Sequence, residues 1–71
     1  MRRTEVIPVW GEVIRQIQEG LYLVRLGNGH ELLGHGGKKR ELIKEILPGS
    51  KVYLELTPRD LSAGKILRVE A

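Results

Sequence analysis

The run VIPVWGEVIRQI, residues 6–17, constrains the fold more than any other stretch. Half of its residues are β-branched, which favours an extended strand over a helix. It is also long, and Gly11 lies near its middle. A glycine inside a strand tolerates a bulge or a sharp coil, so the spacing predicts a first strand bent at Gly11. Pro8 lacks an amide hydrogen and belongs near the start of that strand or at an edge. A strand of this length, bent in this way, can take part in both halves of a small barrel.

The remaining elements follow in short pieces. Gln18, Glu19 and Gly20 read as a turn. Residues 21–26, LYLVRL, form a second strand with Tyr22, Val24 and Leu26 on one face by two-residue periodicity. Asn28-Gly29 between extended runs is a hairpin signal, since both residue types accept positive φ. Residues 30–34, HELLG, are the returning strand. Leu42, Ile43, Ile46 and Leu47 recur at helical spacing and predict one short helix, stopped by Pro48-Gly49. Residues 51–56, KVYLEL, alternate, with Val52, Leu54 and Leu56 inward. Residues 57–64, TPRDLSAG, carry turn chemistry, and residues 65–69, KILRV, read as a last short strand.

Seventy-one residues suffice for one small domain, taken as residues 1–71. A chain of that size buries only about 60% of its unfolded surface, and five short strands need closure to avoid open edges. Three strands, a helix, then two strands fit a small all-β barrel, the five-stranded OB-fold with a short helix between the third and fourth strands. The rival five-stranded architecture, a Src-homology-3-like barrel, usually lacks a helix at that place.

Composition narrows the function. With no cysteine, there is neither disulfide nor Cys-based metal site, and a cytoplasmic home is expected. No apolar run approaches the roughly 20 residues that span a bilayer, and Glu5 and Pro8 interrupt any signal-peptide core. Two serines, one aspartate and no cysteine offer no nucleophile with a base and an orienting group, so no enzymatic activity is expected. His30 and His35 fall short of a zinc ligand set. No cofactor and no small-molecule substrate are implied. The aromatics number three, Trp10, Tyr22 and Tyr53, too few both to build a core and to offer many base-stacking rings. Tyr22 is assigned to the core; Trp10 is left open.

The net charge is +3, from 12 lysines and arginines against 9 acids. That permits a nucleic-acid partner without requiring one. Placement says more. In GHGGKKR, residues 34–40, two glycines precede Lys38, Lys39 and Arg40, with Lys44 close behind. The segment is no P-loop, because Leu32 stands where the first glycine is needed and Lys39 where a hydroxyl is needed. Cations at the start of the expected helix oppose its macrodipole, each costing about 0.3–1 kcal/mol. Such an arrangement suits an anionic partner that approaches the glycine backbone closely, and phosphate is favoured.

NGH (residues 28–30), His35, GKKR, ILPG and VYLELTPRDLSAGKI together resemble bacterial translation initiation factor one, in order, over about residues 11–66. The resemblance implies an OB-fold protein without enzymatic activity. It implies binding to the small ribosomal subunit at the aminoacyl-tRNA site, against ribosomal RNA and a ribosomal protein, in concert with the other initiation factors. Its basic loop maps onto Gly37, Lys38, Lys39 and Arg40. His30 and His35 match the family's two histidines, and Lys65 a basic residue of its last strand. Arg59 stands where tyrosine is usual, and Arg68 near the family's terminal arginine. With Lys44 these complete the expected RNA-facing set on a monomer. A cold-shock-type RNA chaperone and a protein-interaction module are the alternatives.

Overall fold

The computed structural model describes residues 5–36 and 46–70. Five strands close into a barrel: β1 (Ile7–Gln18), β2 (Leu21–Leu26), β3 (Glu31–His35), β4 (Lys51–Thr57) and β5 (Asp60–Glu70). The strand order is β1-β2-β3-β5-β4, with β4 returning to β1. All pairings are antiparallel except that of β3 with β5. This is the expected all-β, five-stranded OB barrel. The helix expected between β3 and β4 lies mostly on residues 37–45, outside the described residues.

The first strand serves both halves of the barrel. Ile7 to Glu12 pair with β4, and Gly11 to Gln18 pair with β2. Gly11 is paired on both sides, with Leu26 and with Val52. Of the bulge or sharp coil expected there, no bulge falls at Gly11 itself. A Cβ at Gly11 would lie 2.5 Å from Val24 Cγ1 and 3.0 Å from Leu26 Cδ2. The glycine therefore allows close approach of β2, and the register shifts fall later, between Val13 and Arg15 and again between Gln16 and Gln18. Ile14 is the extra residue, and Val13 just before it bonds out of the sheet: its N–H donates to Ser50 O at 2.9 Å and its carbonyl accepts from Gly49 N.

Nine apolar side chains form the core: Val13, Tyr22, Val24, Leu32, Ile46, Val52, Leu54, Leu56 and Ile66. The inward assignments of Val52, Leu54 and Leu56 hold, as does that of Tyr22, which is 1% exposed. Leu26 is only half-buried. Leu47, read as part of an apolar stripe, is exposed, because it opens a turn with Pro48 and Gly49. Gly49 takes φ +93° there, and Ser50 N donates to Leu47 O at 2.9 Å, the geometry of a type II turn.

Several boundaries differ from expectation, β1 itself running one residue later at each end. The β2–β3 loop leaves positive φ to Gly29 alone, at +90°. Leu26 N donates to His30 O, and Gly29 N to Leu26 O, the pattern of a type I turn closed by a glycine bulge. The returning strand accordingly runs from Glu31 to His35, each end one residue later than the alternation suggests. The loop expected over residues 57–64 shrinks to a turn at Pro58-Arg59, and β5 starts at Asp60. Its small residues explain this. Gly64 passes so near β4 that a Cβ would lie 3.3 Å from Glu55 O, letting β5 run between β3 and β4.

Gly34 and Tyr22 give tests of this packing. A Cβ at Gly34 would meet Val24, Ile66 and Leu54 side chains at 2.9–3.1 Å. Gly34→Val is expected to lower unfolding free energy by about 1–3 kcal/mol, read from urea midpoints. Burial, and secondarily the charge of Glu19, raises the Tyr22 phenol above its ordinary value. The folded state then keeps a proton that the unfolded chain sheds above about pH 10. Stability is expected to fall as pH rises from there toward the raised folded value. Tyr22→Phe should remove that part of the alkaline loss.

Candidate nucleic-acid interface

The parallel pairing of β3 with β5 places the expected residues. His35 lies opposite Lys65, and both are exposed. Immediately after His35, buried Gly36 donates its N–H to Gly20 O at 3.0 Å. That bond ties the exit of β3 to the β1–β2 turn. The chain returns at Ile46, 5% exposed, and at the 47–50 turn held to Val13. The segment bearing Gly37, Lys38, Lys39, Arg40 and Lys44 connects these two anchors, and those five residues lie outside the described residues.

His30 sits at the other end of β3, roughly 16 Å away along five residues of strand. Its backbone N–H donates to Asn28 Oδ1 at 2.9 Å, and its Nε2 lies 3.3 Å from Leu61 O. The ring thus bridges the β2–β3 turn to the start of β5. Arg59, in the β4–β5 turn, lies at this same end and is exposed. Beside it Asp60 accepts from the Ser62 hydroxyl and from Ser62 N, bonds that hold its carboxyl below the usual range, the hydroxyl bond contributing more. Across the neighbouring hairpin, Arg25 and Glu31 face each other at 2.8 Å, both exposed. Such an exposed pair contributes about 0.2–1 kcal/mol.

Arg68 belongs to neither end. Strict alternation along KILRV would turn it inward with Ile66. The register shift between Tyr53 and Leu54 makes Leu67 an extra residue, which sends Arg68 outward and Val69 inward opposite Val52. The Arg68 guanidinium carbon lies 5.3 Å from the Tyr53 ring centroid. Trp10, 45% exposed, packs on the same tyrosine at 5.2 Å with the rings tilted by 54°. Sequence reasoning missed this Trp10–Tyr53–Arg68 row. The outward position of Tyr53 was readable from KVYLEL, but the cross-strand register that brings the three together was not. A shallow concavity of about 410 Å³ opens beside Trp10, lined also by Gly11, Glu12, Arg25, Leu26, Gly27 and Lys51.

The expected residues therefore fall in three places. His35 and Lys65 lie beside the departure of the basic segment, His30 and Arg59 at the opposite end, and Arg68 on the β4–β5 face. No helix among the described residues is long and apolar enough to cross a membrane.

Ser62→Ala should raise the Asp60 titration midpoint toward the ordinary aspartate value. The contribution of this pair to stability is present above that ordinary value and lost as pH falls through the lowered folded one. Side-chain carboxyl NMR of both proteins measures the shift; an unchanged midpoint contradicts the assigned hydrogen bond.

No family model matches the chain. A solved structure, that of translation initiation factor one from the Wolbachia endosymbiont strain TRS of Brugia malayi, is similar with a TM-score of 0.68 and 29% sequence identity. The similarity covers 89% of this chain and 76% of that one. In both fold and sequence the chain is similar to translation initiation factor one.

Proposed function

We propose that the chain acts in translation initiation, binding the small ribosomal subunit at the aminoacyl-tRNA site and keeping that site closed while the other initiation factors work. The similarity over 89% of the chain to an initiation factor carries this reading. The action is one of binding, in the cytoplasm, with ribosomal RNA and a ribosomal protein as partners. Lys38, Lys39, Arg40 and Lys44 supply phosphate contacts, with Gly37 admitting the RNA backbone closely. His35 and Lys65 extend this surface onto the barrel, because their pairing sets both beside the residue from which the basic segment departs. His30 and Arg59 form a second contact at the far end, whereas Arg68 lies apart from both, over Tyr53 on the β4–β5 face.

One observation points to single-strand binding of the cold-shock type: two aromatic rings, Trp10 and Tyr53, meet on adjacent strands. Stacked bases bring their phosphates with them, however, and a single-strand groove is normally cationic. Around this pair of rings Glu12, Glu55 and Glu70 offset Lys51, Lys65 and Arg68, so the face is neutral rather than cationic. A neutral face offers no net attraction to a phosphate backbone, so the ribosomal reading is preferred.

Replacing Lys38, Lys39 and Arg40 together by alanine should release the chain from small subunits in co-sedimentation while leaving its urea transition cooperative. If the three cations neutralise three phosphates, log K should fall against log salt with a slope steeper than that of the variant by roughly 2 to 3. Undiminished binding by the triple variant would remove the basic segment from the interface.

A further inference from the structure

The outer face of β1, β4 and β5 carries three cross-strand rows whose charges have a definite order. The first is Pro8–Glu55–Lys65, the second Trp10–Tyr53–Arg68, the third Glu12–Lys51–Glu70. Residues directly opposite on neighbouring strands share a face, and Tyr53 contacts both of its neighbours in the middle row. Among these nine, Tyr53 and Glu55 are half-buried and the other seven exposed. Three acids balance three cations, so the face is neutral overall and poorly suited to a phosphate backbone. Tryptophan, tyrosine and arginine, the types most often found at the energetic centre of protein interfaces, occupy its middle.

The order of the charges is complementary to itself. Consider a two-fold axis lying along the middle row, between two copies stacked face to face. That rotation brings the third row of one copy over the first row of the other. Lys51 then meets Glu55 of the second copy, and Glu70 meets Lys65. Both pairs occur twice, as symmetry requires of an isologous contact. Trp10, Tyr53 and Arg68 meet their own counterparts on the axis, and the Arg68 pair is the one like-charge contact against four opposite-charge ones. The other in-plane axis, along the strands, would set Lys51 against Lys51 and Glu12 against Glu70, and is disfavoured.

We propose that this face binds a second copy of the chain, as a two-fold dimer with Trp10 and Tyr53 at its centre and Lys51–Glu55 and Lys65–Glu70 pairs across it. Three strands by three rows make a patch roughly 15–20 Å across, smaller than the interfaces of stable complexes, which bury about 800 Å² on each partner. The dimer is therefore weak and reversible, populated at high concentration. A single chain meets the ribosome at low concentration.

Sedimentation equilibrium of the full chain without RNA tests this, and its outcome is independent of the proposed ribosomal role. From about 10 μM to about 1 mM, a range that resolves weak association, the weight-average mass should rise from 8.0 kDa toward twice that value. Glu55→Lys faces Lys51 with a like charge and should weaken association at least about tenfold. Lys51→Glu should do the same, and the two together should restore it, because the pair is then re-formed with its signs exchanged. Trp10→Ala should weaken association while leaving the urea transition cooperative, and it serves if a charge variant unfolds. The proposal is overturned by a constant mass of one chain, or by a dimer that neither Glu55→Lys nor Trp10→Ala weakens. It falls equally if the mass stays constant and a short unstructured RNA quenches Trp10, which would assign the face to RNA.

Discussion

The barrel depends on the close approach of two strands at Gly11. Here β1 changes partners, leaving β4 for β2, and for two residues it is paired with both. The Val24 and Leu26 side chains fill the space where a Cβ would project. Any side chain at position 11 would push β2 outward and part the strands that close the barrel. Gly34 and Gly64 repeat the device where β3 and β5 run side by side, the one filled by core side chains and the other by the β4 backbone. In a chain with no disulfide, closure of this kind does what a cross-link would otherwise do: it pairs each strand on both sides and encloses nine apolar side chains.

Closure also sorts the surface. Parallel pairing of β3 with β5 puts His35 beside Lys65 at the point where the basic segment leaves the barrel. The two hydrogen-bonded anchors of that segment, Gly36 on Gly20 and the 47–50 turn on Val13, are built from the β1–β2 turn and the bulge after Gly11. The bulge within β1 and the turn that ends it thus hold the two ends of the proposed RNA-binding connection. On the opposite side of β5, the bulge at Leu67 turns Arg68 out over Tyr53 and completes a neutral face of mixed charge. One strand thus contributes Lys65 both to the proposed RNA-facing surface and to the proposed dimer face.

Much of the fold was legible because local patterns were strong. Alternation in LYLVRL and KVYLEL fixed the inward faces of β2 and β4, and Gly11 marked the shared strand. The misreadings arose where tertiary contacts override local preference. Asp60, Ser62 and Gly64 read as a loop by composition, yet they lie in strand because small residues are what a close crossing needs. Asn28 stays at negative φ because the turn places the demand on Gly29 alone. Of the candidate site, the pairing of His35 with Lys65 and the separation of His30 from both follow from strand register, which no single segment encodes. The Trp10–Tyr53–Arg68 row was illegible for the same reason, compounded by a bulge that reverses the alternation of β5.

The central claim is that this barrel delivers its cations to the aminoacyl-tRNA site of the small ribosomal subunit. Chemical footprinting of ribosomal RNA on small subunits, with and without the chain, measures it most directly. The account predicts protection of the decoding-region helix that saturates at one chain per subunit and weakens with salt. A saturating, correctly folded chain that leaves those nucleotides as reactive as in free subunits would contradict it.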